Sequence, residues 1–523
     1  MRFRFFLIFL CASLPMYGQV LTGIDVLQEN EFRELQGKRV GLVTNPSGVD
    51  RNLRSTIDIL FEAPEVNLVA LYGPEHGVRG DVYAGGHVEN ATDPKTGLPV
   101  YSLYGPTREP TPEMLRGVDI MVYDIQDVGV RCYTFISTLG LVMRACARAD
   151  IEVLVLDRPN PLGGHKVEGS YVEDGFFSFV SEFRIPFVYG LTVGELASLI
   201  NEEGLNCGQT GGQEPLQCRL RVVPMLGWQR WMLFKDTGLP WILPSPNIPS
   251  MQSALCYPAS GICGEFGHLN TGVGYTIPFE TFAAEWIDAD ALKSRLDSYR
   301  IPGTAFRTIH YKPIAGSKKG LLLHGVQVAF TDWESAPVSL VQFYVMQAVN
   351  ELYPDHNPYP LGSTRMLDIV CGTDYVRTTF GKRMKVADIV DFWNKDAARF
   401  RSLSQLYYLY RSPLKLRCYE KVSLLRHLPD AGSFYAGFRE LGSPDPLLQH
   451  QQEYQFQQSE QPVFLQQPVH RFRLFQLPEH PVFRKLQLPV LRQFRPLLFK
   501  QQQFPLQRQY FRRAAAEPLF FQQ

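Results

Sequence analysis

No sign of charge dominates the chain. Lys+Arg and Asp+Glu both number 52 in 523 residues, giving a formal net charge of zero. Partners attracted by a bulk field, nucleic acid or an anionic membrane, are therefore not expected. The nine cysteines form no CxxC pair and no zinc-like spacing, which argues against a structural metal site. Beyond the N-terminus no apolar run is long enough for a membrane helix. The first strand-like segment runs into TNPSGVD rather than GxGxxG, so a dinucleotide cofactor is not expected, nor is any other. No obligate protein partner is inferred.

The N-terminus, MRFRFFLIFLCASLPMYGQV, places two arginines before a short apolar run and then small and polar residues around Gly18. This reads as a secretory signal over 1–18 and implies a periplasmic or secreted bacterial protein. Cys11 sits in that run, but Leu10 before it is too bulky for lipoprotein processing. Cys207 and Cys218 flank a turn-rich segment and would form a disulfide in an oxidising compartment; buried free thiols are the equal alternative.

Four segments share one form: KRVGLVTNPSG, VNLVALYGPEHG, VDIMVYDIQDVG and IEVLVLDRPNPLGG. Each is a uniformly apolar run that breaks into a Gly- and Pro-rich loop, the pattern of strands buried on both faces of a parallel sheet. Helical segments such as STIDILFEA, YTFISTLGLVMRACARAD and GLTVGELASLINEEG lie between or after them. The fold class expected is α/β: a Rossmann-like N-terminal domain over 19–245 with a parallel sheet, and a smaller α+β domain over 246–410 that closes the cleft. Ligands in such sheets bind beyond the carboxyl ends of the strands, so Asn45, Glu75, His76, Asp124, Gln126, Asp127, Asp157, Arg158 and Asn160 are expected on one rim. The Trp- and Pro-dense stretch GWQRWMLFKDTGLPWILPSPNIPS is expected to supply aromatic walls for a carbohydrate.

After Tyr410 the composition changes. Residues 411–523 contain no Ile, Met, Trp, Thr or Asn and are loaded with Gln, Phe, Leu, Pro and Arg. Three readings stand for this tail: a disordered low-complexity appendage, a collar of aromatic-rich adhesive repeats, or translation out of frame. It is assigned no function.

From about Gly23 to Tyr410 the chain resembles the exo-β-N-acetylmuramidases, a glycoside hydrolase family formerly catalogued as a domain of unknown function. The resemblance is carried by GPEHGVRG, YDIQDVGVRCYTFIST, LDRPNPLGG, YGLTVGELA and LPSPNIPS. It implies release of terminal β-linked N-acetylmuramic acid (MurNAc) from the non-reducing end of peptidoglycan fragments, with a muropeptide or MurNAc-GlcNAc saccharide as substrate. It also implies that Glu75, the glutamate of GPEHG, is a catalytic residue. One segment departs from the family pattern: LNTGVGYTIPF has no arginine before its Pro-Phe.

Glycoside cleavage uses a proton donor and, in most cases, a second carboxylate. Glu75 in its tight loop suits the donor, with His76 orienting it or binding a hydroxyl. Asp124, Asp127, Asp157 and Glu168 compete for the second role, Asp124 and Glu168 being the leading catalytic candidates; the substrate's own N-acetyl group is a further possibility. The lactyl carboxylate of muramic acid calls for a fork-shaped cation, and Arg79, Arg131 and Arg158 lie in the motifs. For Arg131 and Arg158, pairing with Asp127 or Asp157 to brace the loops is the alternative. Gln126, Tyr133, Asn160 and Asn247 complete the binding set, with turn-capping as the alternative for the asparagines. A non-catalytic periplasmic glycan-binding protein and a metal-dependent hydrolase remain as other classes.

Overall fold

A computed structural model describes residues 19–80, 86, 89–204, 216–265, 267–356 and 364–410, all within one compact unit. The signal segment, the tail and Cys207 fall outside these residues. Seven strands form the larger sheet: β1 (Arg39–Thr44), β2 (Asn67–Gly73), β3 (Ala91–Thr92), β4 (Pro99–Ser102), β5 (Ile120–Asp124), β6 (Glu152–Leu156) and β7 (Leu220–Val223). Their order is β3-β4-β2-β1-β5-β6-β7, parallel throughout except for the edge pair β3–β4.

Helices cover both faces, and alternation along the strands decides which residue meets which helix. Val40 and Leu42 of β1, Ile120 and Val122 of β5, and Leu154 and Leu156 of β6 pack with α1 (Gly23–Glu29) and α2 (Thr56–Glu62). The residues between them, Val43, Met121, Tyr123, Val153 and Val155, pack with α3 (Phe135–Arg148) and α4 (Val193–Glu202). A sheet sandwiched in this way needs apolar side chains at consecutive positions, which is why these runs carry no polar alternation.

The second sheet is antiparallel and three-stranded, in the order β8 (Thr281–Ala284), β10 (Leu323–Phe330), β9 (Thr304–Tyr311). Its helices are α5 (Met251–Gly264), α6 (Ala289–Ser298), α7 (Val341–Leu352) and α8 (Thr364–Cys371). Val128, Val130 and Phe187 from the loops above the first sheet share one core cluster with Phe282, Phe343, Phe380 and Trp393. The smaller sheet layer is thus welded to the rim of the larger by buried apolar surface, and the groove left between them is fixed in place. Among the described residues no helix is long and apolar enough to cross a membrane.

Candidate active site

Strands leave β1 to one side through β2 and resume on its other side with β5, so the switch point lies between the carboxyl ends of β1 and β5. Ligands of open α/β sheets bind there. Here the crevice is largely filled by the protein. Asp124, fully buried at the end of β5, receives Arg158 Nε and Nη2 (2.8 Å from Nη2 to Oδ2) and the Thr56 hydroxyl. Asn45 donates to the Pro244 carbonyl (3.1 Å) and accepts from Ser47, tying the 239–245 segment across the opening. A cavity of about 20 Å³ remains.

The open cleft lies to the side, beyond the end of β2. It has two joined lobes of about 270 and 280 Å³, which share Asn247, Glu265 and Phe279 as lining residues. The first lobe is lined by Glu75, His76, Tyr104, Tyr133 and Ser245. Its aromatic wall is a run of edge-to-face rings, Phe135–Tyr133–Tyr257–Phe279, with centroids 5.0, 5.6 and 4.8 Å apart. Such a wall offers ring faces and edges to a pyranose. The tryptophans of the 228–241 stretch do not line it, contrary to the expectation from sequence. Trp228 is buried against Tyr410, Trp241 donates to the Ile248 carbonyl, and Trp231 is exposed.

The Glu-His pair is presented by a turn closed from the Gly77 N–H to the Pro74 carbonyl (3.0 Å). His76 takes the left-handed position of that turn, φ +75°, where a non-glycine residue costs roughly 1–2 kcal/mol. Strain of this kind collects at functional sites. It leaves His76 buried and Glu75 half-buried, facing the cleft. Tyr104 donates its hydroxyl to Glu75; burial first, then the charge and hydrogen bond of Glu75, hold the phenol pKa above its ordinary value. The Tyr133 hydroxyl is buried with no hydrogen-bond partner among the described residues, although Ser245 lies close. A buried donor in that state is suited to a ligand oxygen.

Of the expected site residues, the cleft lining contains Glu75, His76, Tyr133 and Asn247. The others brace the rim. Asp124 and Glu168, expected as the second carboxylate, are not lining residues: Asp124 is held by Arg158, and Glu168 accepts from the Ser339 N–H (2.8 Å) and hydroxyl (2.7 Å) ahead of α7. The three arginines expected to grip a carboxylate are also engaged. Arg79 forks onto Asp93 (2.9 and 3.0 Å) and reaches Asp58 (3.2 Å). Arg131, fully buried, donates to the carbonyls of Ser170, Ile185, Val370 and Cys371, and its burial lowers its pKa to about 10. Arg158 is committed to Asp124 and the Val49 carbonyl.

The remaining rim residues are equally occupied. Gln126 donates to the Asp127 and Pro159 carbonyls, and Asn160 to that of Leu191. Asp157 accepts from Thr192, Tyr410 and the Gly194 N–H, and burial pushes its carboxyl up to about 7. Asp127 lies beneath Tyr133, bonded to Gly129 and Tyr189; burial raises it to about 6. Cys132, Cys146, Cys218, Cys256, Cys263 and Cys371 are buried free thiols, while the Cys207 half of the expected disulfide is outside the described residues.

Among the cleft residues that the sequence did not single out are Tyr104, Glu265 and Lys318. Glu265, the C-cap of α5, projects into both lobes. Glu265 is solvent-exposed at the cleft; partial desolvation by the surrounding walls, and then the charge of Glu75, raise its carboxyl pKa. Lys318, in the β9–β10 connection, lines the second lobe and lies 3.2 Å from both oxygens of Glu285. The available signal for Glu265 was its helix end, where no basic residue occupies the last turn. Among the described residues no three His, Cys, Asp or Glu side chains converge as metal ligands.

The profile of the exo-β-N-acetylmuramidase NamZ N-terminal domain matches residues 40–252, and that of the NamZ C-terminal domain matches residues 255–410. The peptidoglycan β-N-acetylmuramidase NamZ of Bacillus subtilis (strain 168) is 42% identical over 392 residues, which cover 75% of this chain and 92% of that protein. A crystal structure of a DUF1343 family protein from Bacteroides fragilis NCTC 9343 is similar with a TM-score of 0.71 and 53% identity, covering 75% of this chain and 99% of its own. A second protein of that family from the same organism has a TM-score of 0.60 and 28% identity, with 76% and 100% covered. With both profiles matched in order and a relative this similar over nearly its whole length, the chain belongs to the exo-β-N-acetylmuramidase NamZ family.

Proposed function

We infer that the protein is an exo-acting glycoside hydrolase that releases β-linked N-acetylmuramic acid from the non-reducing end of peptidoglycan fragments. The observation that carries this is a pair of glutamates, Glu75 and Glu265, lining one cleft beside an aromatic wall in a chain of this family. Two carboxyl groups are the usual equipment for breaking a glycosidic bond. Tyr133 offers the substrate an unpaired hydroxyl, and Asn247 lies where the two lobes meet. The N-terminal segment supports export, and the site of action proposed is the periplasm or the cell exterior.

Selectivity for muramic acid over glucosamine needs a cation for the lactyl carboxylate. Arg79, Arg131 and Arg158 do not line the cleft; Lys318 lines the second lobe with Asn247 and Asn270, and would exchange its ion pair with Glu285 for the lactyl carboxylate. Its ammonium is a point charge without the bidentate geometry of arginine. The deciding experiment is turnover of a nitrophenyl β-muramide beside the corresponding glucosaminide. Release from the muramide alone, and of single MurNAc units from oligosaccharides, is the expected result. Turnover of neither, or equal release of internal fragments from long glycan strands, would reject the reading.

A further inference from the structure

Both glutamates of the cleft are acids, and hydrolysis needs them in different states. We propose that Glu265 is the proton donor of the reaction and Glu75 its anionic partner, the reverse of the roles that the sequence suggests for Glu75. The proposal rests on the glycosidase reading above and divides the chemistry between the two residues.

Three observations carry it. Glu265 caps the C-terminus of the 14-residue helix α5, its N–H bonded back to the Gly261 carbonyl (3.3 Å). The carbonyl end of a helix is the negative end of its dipole, where a carboxylate is disfavoured and a neutral carboxylic acid is not. No basic residue in the last turn offsets this. Glu75 stands instead against a hydrogen-bond donor, the Tyr104 hydroxyl, whose own pKa is raised by burial and by Glu75's charge. Finally, Glu265 lines both lobes where they meet, beside a bond between sugars held one in each, and desolvation by the cleft walls with the charge of Glu75 raises its carboxyl pKa. Two carboxyl groups in unlike surroundings, one at a helix C-terminus and one facing a hydroxyl donor, are assigned as acid and base on that ground.

The step balances as follows. The Glu265 proton passes to the glycosidic oxygen, which keeps the electron pair of the breaking C1–O bond and leaves as the hydroxyl of the departing sugar. The positive charge developing at C1 is opposed by the Glu75 carboxylate. Water adds to C1 and gives its proton to Glu75, which releases it to solvent, and solvent returns a proton to Glu265.

A donor is dispensable when the leaving group needs no proton. Glu265→Gln should lose about 10²–10⁴-fold on MurNAc-GlcNAc but far less on a nitrophenyl muramide. It should also lose the alkaline limb of the kcat/KM profile, while Glu75→Gln loses activity on both substrates alike. The opposite pattern, with Glu75→Gln sparing the nitrophenyl substrate and keeping no alkaline limb, would overturn the assignment. So would a Glu265→Gln protein with full activity on the disaccharide. Should that variant not fold, wild-type rates on aryl muramides of graded leaving-group acidity, compared with those of Glu75→Gln, decide the same question. If the wild-type turns over neither substrate, it is the glycosidase reading that fails.

Discussion

A residue at the end of a buried strand is placed on the rim, but the direction of its side chain decides what it does there. Asp124 and Glu75 illustrate the difference. Asp124 is the last residue of β5 and points into the protein, saturated by Arg158 and Thr56. Asp124→Asn should therefore act on stability, costing about 3–5 kcal/mol in denaturant unfolding by leaving a buried guanidinium unpaired. The activity per folded molecule should stay close to that of the wild type; a stable but inactive Asp124→Asn protein would return this residue to the chemistry. Glu75→Gln should do the converse, with turnover down about 10²–10⁴-fold and the unfolding transition unmoved. Asp127 adds a pH dependence. Its carboxyl is raised to about 6 in the folded protein by burial, against an ordinary value of 3.8, so folding favours the protonated form. The stability it contributes is complete below about pH 4 and is lost as the pH rises through about 6. Asp127→Asn should flatten the stability profile across that window; an unchanged slope would show that the carboxyl does not titrate there.

Loops set the selectivity that the sheet alone does not. The β9–β10 connection is tied to the 270–276 loop by the Ile314 and Ala315 N–H groups, both donating to the Gly274 carbonyl (2.8 and 3.3 Å). Gly274 has φ +86°, and a Cβ there would lie 2.3 Å from the Ala315 carbonyl oxygen, so no other residue fits without moving the connection. The LNTGVGYTIPF segment thus carries the clamp that sets Lys318 beside the second lobe. Lys318→Met should raise KM for muramides about tenfold, the loss of one charge-assisted contact of roughly 1.4 kcal/mol, with kcat little changed. Gly274→Ala should reproduce that phenotype from a position that does not touch the substrate. A normal KM in both would remove Lys318 from substrate recognition.

At the scale of the whole molecule, the sheet was legible because burial on both faces writes itself into consecutive apolar residues, as in RVGLVT and IMVYD. The cleft was half legible. Glu75 stands out in a short motif, whereas Glu265 is defined only by where α5 ends relative to a turn nearly two hundred residues earlier, a long-range placement that no local pattern encodes. The end of the family-matched region follows the same logic. Tyr410 is buried against Trp228 (ring centroids 5.0 Å apart), and its hydroxyl bonds Asp157 and receives the Met225 N–H at 2.8 Å. It thus pins the loop after β6 and the 225–232 segment from the last position that the family profile matches. Deleting 411–523 should leave turnover and thermal unfolding unchanged, because the family profile and the periodic apolar segments both stop at Tyr410. Deleting from 408 onward removes Tyr408 from beneath Arg230 (3.4 Å to the ring centroid) as well as the Tyr410 anchor, and strips buried Asp157 of a donor. That shorter protein should be destabilised by several kcal/mol, the combined order of a lost buried aromatic and a lost hydrogen bond to a charged group. Equal stability of the two truncations would show that Tyr410 packs without bearing weight, and loss of activity in the longer one would give the tail a part in the enzyme.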